Sequence, residues 1–379
     1  MLSEIKTLRR ELHKYPELSG QEIHTAKRIK EFISTHSNTE IIDEIGGHGL
    51  AAIFSYRKPG PVIMIRCELD ALPILEPNTF EYKSTKPGVS HKCGHDGHMA
   101  MVAGLVFWLK EQTFDSGKII LLFQPAEETG KGAFKVLNDQ KFKDIHIDYA
   151  FALHNLPGEP LHSIITLENY FSASVQSLII QLTGRESHAA EPEHGINPSQ
   201  SIAEIIAAFA KLNKSDPYQK NFSILTPIHI TMGEKAYGVS PGYGEIHYTI
   251  RTWSESVMDQ LKQSVQSILS QVSKKHQLNL NLEWLEYFPA VKNDNNCNEL
   301  IKKSAIKNGL ELIERPFPLK FGEDFGWFSK RCKTAMFGLG SGTEAPALHH
   351  SDYDFPDEII PTGLNMFQEI ITQLLSDKR

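Results

Sequence analysis

At 379 residues the chain is longer than one average domain, and its length predicts two. Hydrophobic residues make up 40% and charged residues 22%, a globular balance that excludes a disordered or collagen-like chain. The net charge of −7 comes without a basic stripe, which argues against a nucleic-acid partner.

Location and redox setting are predicted from what the sequence lacks. No apolar run approaches the roughly 18 residues of a membrane span, so we expect no membrane partner. The N-terminus opens into helical periodicity without the apolar run of a signal peptide, which favours a cytoplasmic protein. Cys67, Cys93, Cys297 and Cys332 are too scattered for a disulfide framework.

Two helices are predicted at the start of the chain. The first spans 3–14, and the second opens at Ser19-Gly20-Gln21-Glu22, which has the form of a capping box. The residues expected to face inward are Ile5, Leu8 and Leu12 in the first helix and Ile23, Ala26, Ile29 and Ile33 in the second. Near the turn between the helices, His13 and Glu17 are expected to be structural.

Four apolar runs of strand length each end in residues that can carry chemistry. They are Val62–Cys67 before Glu68-Leu69-Asp70, Ile119–Phe123 before Glu127-Glu128, Tyr149–Leu153 before His154, and Thr334–Leu339 before His349-His350. Continuous apolar runs are typical of buried parallel strands, and the sites of α/β proteins form where loops leave the carboxyl edge of the sheet. We therefore expect an α/β fold in which these acids and histidines converge.

Between the third and fourth runs the pattern changes. Strands are predicted at 175–182, 224–232, 243–252 and 278–285, with helices that begin at Asn197-Pro198 and near Ser254. The order β-α-β-β-α-β is the split ferredoxin-like pattern. The sequence therefore predicts an inserted α+β domain at 172–285, and an α/β catalytic domain made of 1–171 and 286–379.

The segment 91–99 concentrates a thiol, three imidazoles and a carboxylate. Cys93 and His95 lie two residues apart, so in an extended segment both side chains can reach one metal ion or a close pair of ions. Thiolate, imidazole and carboxylate ligands favour zinc, with manganese or cobalt tolerated. For His91, Asp96 and His98 we favour a role beside the ligands or at a helix start.

The adjacent Glu127 and Glu128 can divide two tasks. Successive side chains of an extended segment diverge, so one carboxylate can bind metal while the other faces the substrate. A metal ion lowers the pKa of a bound water, and a free glutamate can take its proton and later protonate a leaving amine. The pair therefore favours metal-assisted hydrolysis.

Five motifs, in order along the chain, carry a family resemblance. They are Arg10-Glu11-Leu12-His13-Lys14-Tyr15-Pro16-Glu17-Leu18-Ser19, Leu69-Asp70-Ala71-Leu72-Pro73, Cys93-Gly94-His95-Asp96-Gly97-His98, Pro125-Ala126-Glu127-Glu128 and Leu153-His154-Asn155-Leu156-Pro157. They resemble the M20 metallopeptidase family, in the branch of hippurate hydrolases, N-acyl-amino-acid amidohydrolases and auxin-conjugate hydrolases. The resemblance runs nearly end to end, and it is more specific for the family than for the substrate.

The resemblance implies a zinc-peptidase-like catalytic domain that holds two divalent metal ions per subunit. Carried over by motif, the metal ligands would be Cys93, His95, Glu128, His154 and His349. Glu127 would act as general base and acid, and Asp70 would orient a ligand histidine. The implied reaction is cleavage of the amide bond of an N-acyl amino acid.

The inserted domain would serve as a lid and as the interface of a homodimer or higher homo-oligomer. Ser187-His188-Ala189-Ala190-Glu191-Pro192 resembles the segment whose histidine assists the oxyanion, often in the partner subunit's site. Arg251 stands where relatives have an arginine, and it would bind a substrate carboxylate or form a structural salt bridge. Glu323 and Asp324 resemble a family segment near the pocket, with structural and substrate roles both open.

Several positions depart from the family pattern. Leu348-His349-His350-Ser351 offers two histidines where relatives have one, and we favour His349 because it follows the leucine. Glu186-Ser187 replaces a Gly-Gly pair before His188. Tyr237-Gly238-Val239-Ser240-Pro241 lacks an asparagine that usually contacts the substrate, which points to an unusual acyl or amine portion.

Three functions remain open on sequence alone. The first is the metal-dependent amidohydrolase, within which a dipeptidase or a deacetylase of an N-acetylated intermediate is the runner-up. The second is a cysteine hydrolase that uses Cys93 with a nearby histidine, which leaves Glu127, Glu128 and His154 unexplained. The third is a non-catalytic binding protein, which would be missing a base or a ligand, whereas this chain has them all.

Overall fold

The computed structural model describes residues 1–376 and separates the chain into two compact units. The first unit contains 1–171, 291–316 and the remaining described chain from 323. The second unit contains 172–290 and the short segment 317–322. That short segment joins the second unit in space although it is distant in sequence. The role of the second unit as a lid and dimer interface stays a prediction.

Helices and strands alternate through both units. The α-helices of the described residues are α1 Leu2–Lys14, α2 Ile23–His36, α3 His95–Gly104, α4 Val106–Leu109, α5 Gly132–Asn138, α6 Ser199–Ala210, α7 Glu255–Lys275, α8 Asn295–Lys307 and α9 Ile360–Ser376. The β-strands are β1 Glu40–Ile45, β2 Gly49–Ser55, β3 Lys58–Glu68, β4 Ser116–Gln124, β5 Tyr149–Leu156, β6 Ile164–Leu167, β7 Tyr170–Ser172, β8 Ser174–Thr183, β9 Ser187–His188, β10 Ser223–Met232, β11 Val239–Ser240, β12 Tyr243–Thr252, β13 Asn279–Phe288, β14 Val291–Lys292, β15 Leu312–Arg315 and β16 Lys333–Gly340. None of these helices is both long and apolar enough to cross a membrane.

The first unit is built on an eight-stranded mixed sheet with the order β1-β2-β4-β3-β5-β16-β6-β15. Its centre is parallel: β3 pairs with β4 and β5, and β5 pairs with β16, all in the same direction. The four apolar runs of the sequence form these four strands, and their side chains are almost all buried. The carboxyl ends of β4, β3, β5 and β16 therefore lie side by side at one edge, and the predicted α/β fold is confirmed.

The predicted start of the second helix is wrong. Helix α2 begins at Ile23, and the residue before it, Glu22, makes no side-chain capping bond. Instead the Glu22 carboxylate accepts hydrogen bonds from the backbone N–H groups of Gly20 at 2.9 Å and Ala126 at 2.8 Å. Ile23, expected to face inward, is 55% exposed. The capping box does not form because the Glu22 carboxylate instead binds the buried N–H of Ala126, which is distant in sequence and needs an acceptor.

The second unit has a four-stranded antiparallel sheet with the order β10-β12-β8-β13. The elements follow the predicted β-α-β-β-α-β order, with α6 and α7 packed on the sheet. Helix α6 is assigned from Ser199, and Pro198 before it already has helical φ and ψ of −77° and −5°. The Asn197 side chain accepts from the Ser199 N–H at 2.9 Å, as the predicted asparagine cap requires. Helix α7 begins as predicted, with the Ser254 hydroxyl accepting from Val257 N–H.

Candidate active site

The ends of the four central strands gather metal-binding groups. Cys93 lies two residues before the start of α3, and Glu128 follows β4. His154 lies near the C-terminal end of β5, and His349 follows β16. The possible ligand atoms of Cys93, His95 and His154 lie within 4.8 Å of one another, and so do those of Cys93, Glu128 and His349. We call Cys93, His95, Glu128, His154 and His349 the strand-end cluster.

Short contacts define the geometry of the strand-end cluster. Sγ of Cys93 lies 3.5 Å from Nε2 of His154. Oε1 of Glu128 lies 3.9 Å from Nε2 of His95 and 3.7 Å from Nε2 of His349. His349 is held in place by its backbone N–H, which donates to the carbonyl of Lys92 at 2.8 Å. Five donor side chains thus face one small volume.

Two histidines of the strand-end cluster are oriented through Nδ1. Nδ1 of His95 lies 2.8 Å from the backbone carbonyl of Asp70, and Nδ1 of His154 lies 2.9 Å from the carbonyl of Asn155. A carbonyl accepts, so both Nδ1 atoms carry a proton, and Nε2 is the ring nitrogen left for a metal ion. Burial lowers the pKa of His154 to about 3, which keeps it the neutral imidazole that metal binding requires.

Asp70 lies directly behind the cluster. Its Oδ2 accepts from the Ser19 hydroxyl at 2.6 Å and from the Glu128 backbone N–H at 3.0 Å, and its Oδ1 lies 3.7 Å from Nδ1 of His95. Burial would raise its pKa, but the contacts with His95, Ser19 and Glu128 outweigh burial and lower it. Asp70 is therefore an ionised anchor that joins the end of β3 to the loop after β4.

Negative charge dominates this region. Burial alone would lower the pKa of His95, but Asp70, Glu68 and Glu128 raise it to about 10. Burial is also the main reason that the pKa of Glu128 rises to about 7, and Asp70 adds to the rise. Burial, followed by the charge of Glu128, raises the pKa of the Cys93 thiol well above its usual range. These directions describe a site that favours an added cation.

Glu127 lies beside the cluster without being enclosed by it. It is buried, and its Oε2 lies 3.9 Å from Nε2 of His95. Burial, then the neighbouring carboxylates of Glu323 and Glu128, raise its pKa well above the usual range. Ala126, which precedes the two glutamates, has a positive φ of 53°, and both Glu127 and Glu128 lie 3.9 Å from Nε2 of His95.

Glu323 and Asp324 take a structural part in this region. Both are buried, and both pair with the guanidinium of Arg66, at 2.9 and 2.8 Å. Arg66 also contacts the carboxylate of Glu68. Arg66 is not among the residues predicted from the sequence, and its signal is a charged residue inside the otherwise apolar run of β3. It neutralises carboxylates that would otherwise repel Glu127.

The residues expected beside the ligands have different surroundings. His98 bridges the carboxylate of Glu68 at 2.7 Å and the side-chain oxygen of Asn155 at 2.6 Å, so it supports the site from behind. Asp96 lies in the first turn of α3 and faces α1. His91 is buried, and neither ring nitrogen has a hydrogen-bond partner among residues 1–376.

The donor set of the strand-end cluster fits divalent metal ions. It offers one sulfur, three imidazole nitrogens and a carboxylate, and Oε1 of Glu128 is buried without a hydrogen-bond partner in the described chain. The two overlapping donor groups share Cys93 and together contain all five residues. Such a set suits zinc, and manganese or cobalt can also be bound. His350 is not among these donors, and its Nδ1 lies 2.5 Å from Oδ1 of Asp352.

Two predicted site residues belong to the second unit. His188 is exposed in the two-stranded antiparallel sheet formed by β9 and β11, and its Nδ1 accepts from the Ala190 N–H at 3.0 Å. Arg251 is half-buried on β12, and its Nε donates to the Lys320 carbonyl at 3.0 Å. In the part of the chain that the structure describes, Arg251 forms no ion pair, so the structural salt bridge has no partner there.

A mixed α/β sheet that carries sulfur, nitrogen and oxygen donors at the carboxyl edge of its parallel centre has the donor chemistry of a metal-dependent enzyme. A sequence model of peptidase family M20/M25/M40 matches residues 64–373, and the chain belongs to this family. Members of this family with related sequences are amide hydrolases, and this chain is a metal-dependent hydrolase of carbon–nitrogen amide bonds.

Named relatives agree with this membership. The chain is 34% identical over 97% of its length to N-acetyl-L-cysteine deacetylase of Bacillus subtilis, covering 87% of that protein. It is 28% identical over 97% of its length to N-acetylcysteine deacetylase of the same organism, covering 96% of it. A crystal structure of a dinuclear metal-binding peptidase of the M20 family from Bacillus subtilis matches with a TM-score of 0.83 and 25% identity, covering 99% of this chain and 98% of that one.

Proposed function

We propose that this enzyme hydrolyses the amide bond of N-acyl amino acids, releasing a carboxylic acid and a free amino acid. The observation that carries the proposal is a five-residue donor set with a separate buried carboxylate, Glu127, beside it. Metal binding and proton transfer need different groups at close range, and this arrangement supplies both.

The strand-end cluster would hold two divalent ions, of zinc, manganese or cobalt. The two overlapping donor groups support two sites that share Cys93. When bound, the ions supply Lewis acidity, which polarises a carbonyl and lowers the pKa of water. Asp70 keeps His95 in one orientation through the carbonyl and carboxylate contacts at its Nδ1.

Glu127 is proposed as general base and then general acid. Its carboxylate takes a proton from the attacking water as the new C–O bond forms, and it gives that proton to the amine nitrogen as the C–N bond breaks. Burial and neighbouring carboxylates raise its pKa, so the carboxyl group can hold the proton between the two events. Glu128 cannot share this task if its oxygen binds metal.

His188 and Arg251 are proposed to contact the substrate. Because Nδ1 of His188 accepts from Ala190 N–H, its proton is on Nε2, where it can donate to a developing oxyanion. Arg251 uses Nε for the Lys320 carbonyl, which leaves the outer guanidinium nitrogens for a substrate carboxylate.

We also propose a homodimer formed by the second unit. Strand β10 is an edge strand, and Ile228, Ile230 and Met232 are exposed along it. Exposed edges with apolar side chains pair readily with a second copy. His188 would then act across the dimer.

A deacetylase is a second candidate within the same chemistry. Two relatives that match nearly the whole chain bear the name N-acetylcysteine deacetylase. The acetyl group is the smallest common acyl group, so the two candidates differ only in the walls that hold the acyl portion. A dipeptidase would need room for a second amino acid in the same place.

The test is a substrate panel with metal restoration. Chelator-stripped enzyme is assayed against N-acetyl, N-benzoyl and longer N-acyl amino acids, N-acetylcysteine and dipeptides, with zinc, manganese or cobalt added back and released amine measured. We expect no turnover in the stripped enzyme and metal-restored cleavage of N-acyl amino acids. Cleavage of dipeptides alone, or activity that alkylation of thiols abolishes and chelation does not affect, would contradict the proposal.

A further inference from the structure

A buried histidine on the first helix bridges two carboxylates. Nδ1 of His13 lies 2.8 Å from Oδ2 of Asp96, and its Nε2 lies 3.0 Å from Oε1 of Glu76. The His13 side chain is fully buried, and the Glu76 side chain is 3% exposed. An ionised carboxylate only accepts hydrogen bonds, so both ring nitrogens must donate. The geometry therefore makes His13 an imidazolium.

Each of the two carboxylates meets a second cation. Oδ2 of Asp96 is 2.9 Å from Nε of Arg9, and Glu76 pairs with the ammonium group of Lys92. Arg9 and Lys92 are fully buried. Charges thus alternate along Arg9, Asp96, His13, Glu76 and Lys92, which we call the charge chain. Buried ions of alternating sign neutralise one another only while every member stays in place.

The charge chain includes both ends of the segment 92–96, which carries the proposed ligands Cys93 and His95. Lys92 precedes Cys93, and Asp96 follows His95. The Lys92 ammonium is fixed further by the Tyr353 carbonyl at 2.8 Å, and the Lys92 carbonyl accepts from the backbone N–H of His349 at 2.8 Å. A displacement of Lys92 would therefore move Cys93 and His349, and a displacement of Asp96 would move His95.

Gly94 lies at the centre of this segment, where the backbone conformation is tightly restricted. Its φ is 94°, and a Cβ at this position would come within 2.6 Å of the Asn155 side chain. The chain between Lys92 and Asp96 therefore follows one tight path, with Cys93 and His95 on it. The orientation of both ligands depends on where the two ends are held.

We propose that His13 is a positioning residue of the metal centre, which fixes the segment 92–96 through Asp96 and through Glu76 and Lys92. This inference rests on the proposed ligands Cys93 and His95. Burial alone would lower the pKa of His13, but the bonds to Asp96 and Glu76 outweigh burial and raise it. The pKa of Glu76 falls to about 2 against the effect of burial, owing to His13 and Lys92. Both shifts agree with a cation held between two anions.

The experiment measures zinc affinity, not turnover. Dissociation constants for Zn²⁺ are determined by competition with a chromophoric chelator for wild type and His13→Gln. A glutamine amide can donate to one carboxylate, but its oxygen would face the other. Residues that support metal ligands typically change affinity by about 10- to 100-fold, and we expect a weakening of that size.

Two further variants separate positioning from general damage to the fold. Leu12→Ala removes a buried side chain from the same helix without touching the charge chain, and it should leave the zinc dissociation constant unchanged. In an Asp96→Asn background, His13→Gln should have far less effect than in wild type, because the coupled partner is already altered. Additive effects, or an equal loss in Leu12→Ala, would overturn the proposal.

Other outcomes also decide the matter. If His13→Gln cannot be purified, Glu76→Gln takes its place, since it alters the charge chain from a loop and leaves α1 intact. Wild-type affinity in the variant used would refute the positioning role. A wild-type enzyme that binds no zinc, manganese or cobalt would instead refute the proposed ligands, so the two failures are distinguishable.

Discussion

The strand-end cluster and the β9–β11 pair that carries His188 differ in how their side chains are held. Three members of the cluster, Cys93, His95 and His154, are buried, and each is held by a neighbour on another strand or loop. His188 is exposed on a pair of two-residue strands, β9 and β11, where it lies opposite Val239; Tyr237, two residues before Val239, is 96% exposed. The proposed metal-binding side chains of the cluster position one another within the first unit. The exposed imidazole of His188, in contrast, would in its proposed role act only on a substrate that another part of the protein holds.

The difference is also electrostatic. Carboxylates around the cluster are paired with buried cations, namely Arg66 and the cations of the charge chain around His13. The β9–β11 pair offers one N–H donor whose direction is set by a local backbone bond to Ala190. We infer that changes in the buried region affect metal binding or proton transfer, according to the residue changed, while changes in the β9–β11 pair affect the transition state alone.

The largest effect is expected for Glu127→Gln. If Glu127 transfers the proton, its loss should lower kcat by roughly 10²- to 10⁴-fold, the usual contribution of general acid–base catalysis. Metal content should remain at the wild-type level, because Glu127 is not among the proposed ligands. Activity is measured on the best substrate of the panel, and metal content by elemental analysis after dialysis.

Glu128→Gln is the matched control, one residue away and of the same size. It should lose metal as well as turnover, since its Oε1 faces two histidines of the cluster. If both variants lost metal equally, the division of labour between the two glutamates would be wrong. Near wild-type turnover in Glu127→Gln would remove the proposed base.

A smaller loss is expected for His188→Ala. Removal of one oxyanion donor typically lowers kcat by roughly 10²- to 10³-fold, and metal content should not change. If His188 acts across a dimer, mixing this variant with Glu127→Gln should restore activity after subunit exchange, since one site of each mixed dimer has both residues. Mixed dimers, verified by mass, that stay inactive would place His188 in the site of its own chain.

The sequence predicts the strand-end cluster better than the surroundings of His188. The four apolar runs predicted the parallel strands and the common edge of Asp70, Glu127, His154 and His349, because burial on both faces leaves a continuous apolar signal. The start of α2 was predicted wrongly since Glu22 binds Ala126, a partner about a hundred residues away. Short-range patterns cannot reveal such a partner.

The partners of the buried charged residues are the larger part of the structure that the sequence does not predict. Arg66 and Lys92 are isolated cations in sequence, and only the fold brings their carboxylates to them. His13 was expected to be structural, and the structure places it between Asp96 and Glu76, next to the ligand segment. Which side chains touch substrate is not encoded in local periodicity, so the roles of His188 and Arg251 stay predictions.

The smallest expected effect is on the pH dependence of stability, and it concerns the buried region only. The groups that face the His13 ring are Asp96, Glu76, Arg9, His91, Phe80 and Tyr82. The folded-state pKa of His13 is raised above the ordinary value of about 6.5, so its contribution to stability is complete below that pH and is lost as pH rises through the folded pKa.

The free energy of unfolding of wild type should therefore exceed that of His13→Gln most near pH 6. The difference should shrink in alkaline buffer by about 1 kcal/mol, the contribution of one hydrogen bond. Urea unfolding of the metal-free proteins measures it, and Leu12→Ala should show a difference that does not vary with pH. A pH-independent difference for His13→Gln would mean that the ring is neutral, and the alternation of charge from Arg9 to Lys92 would then be broken at its centre.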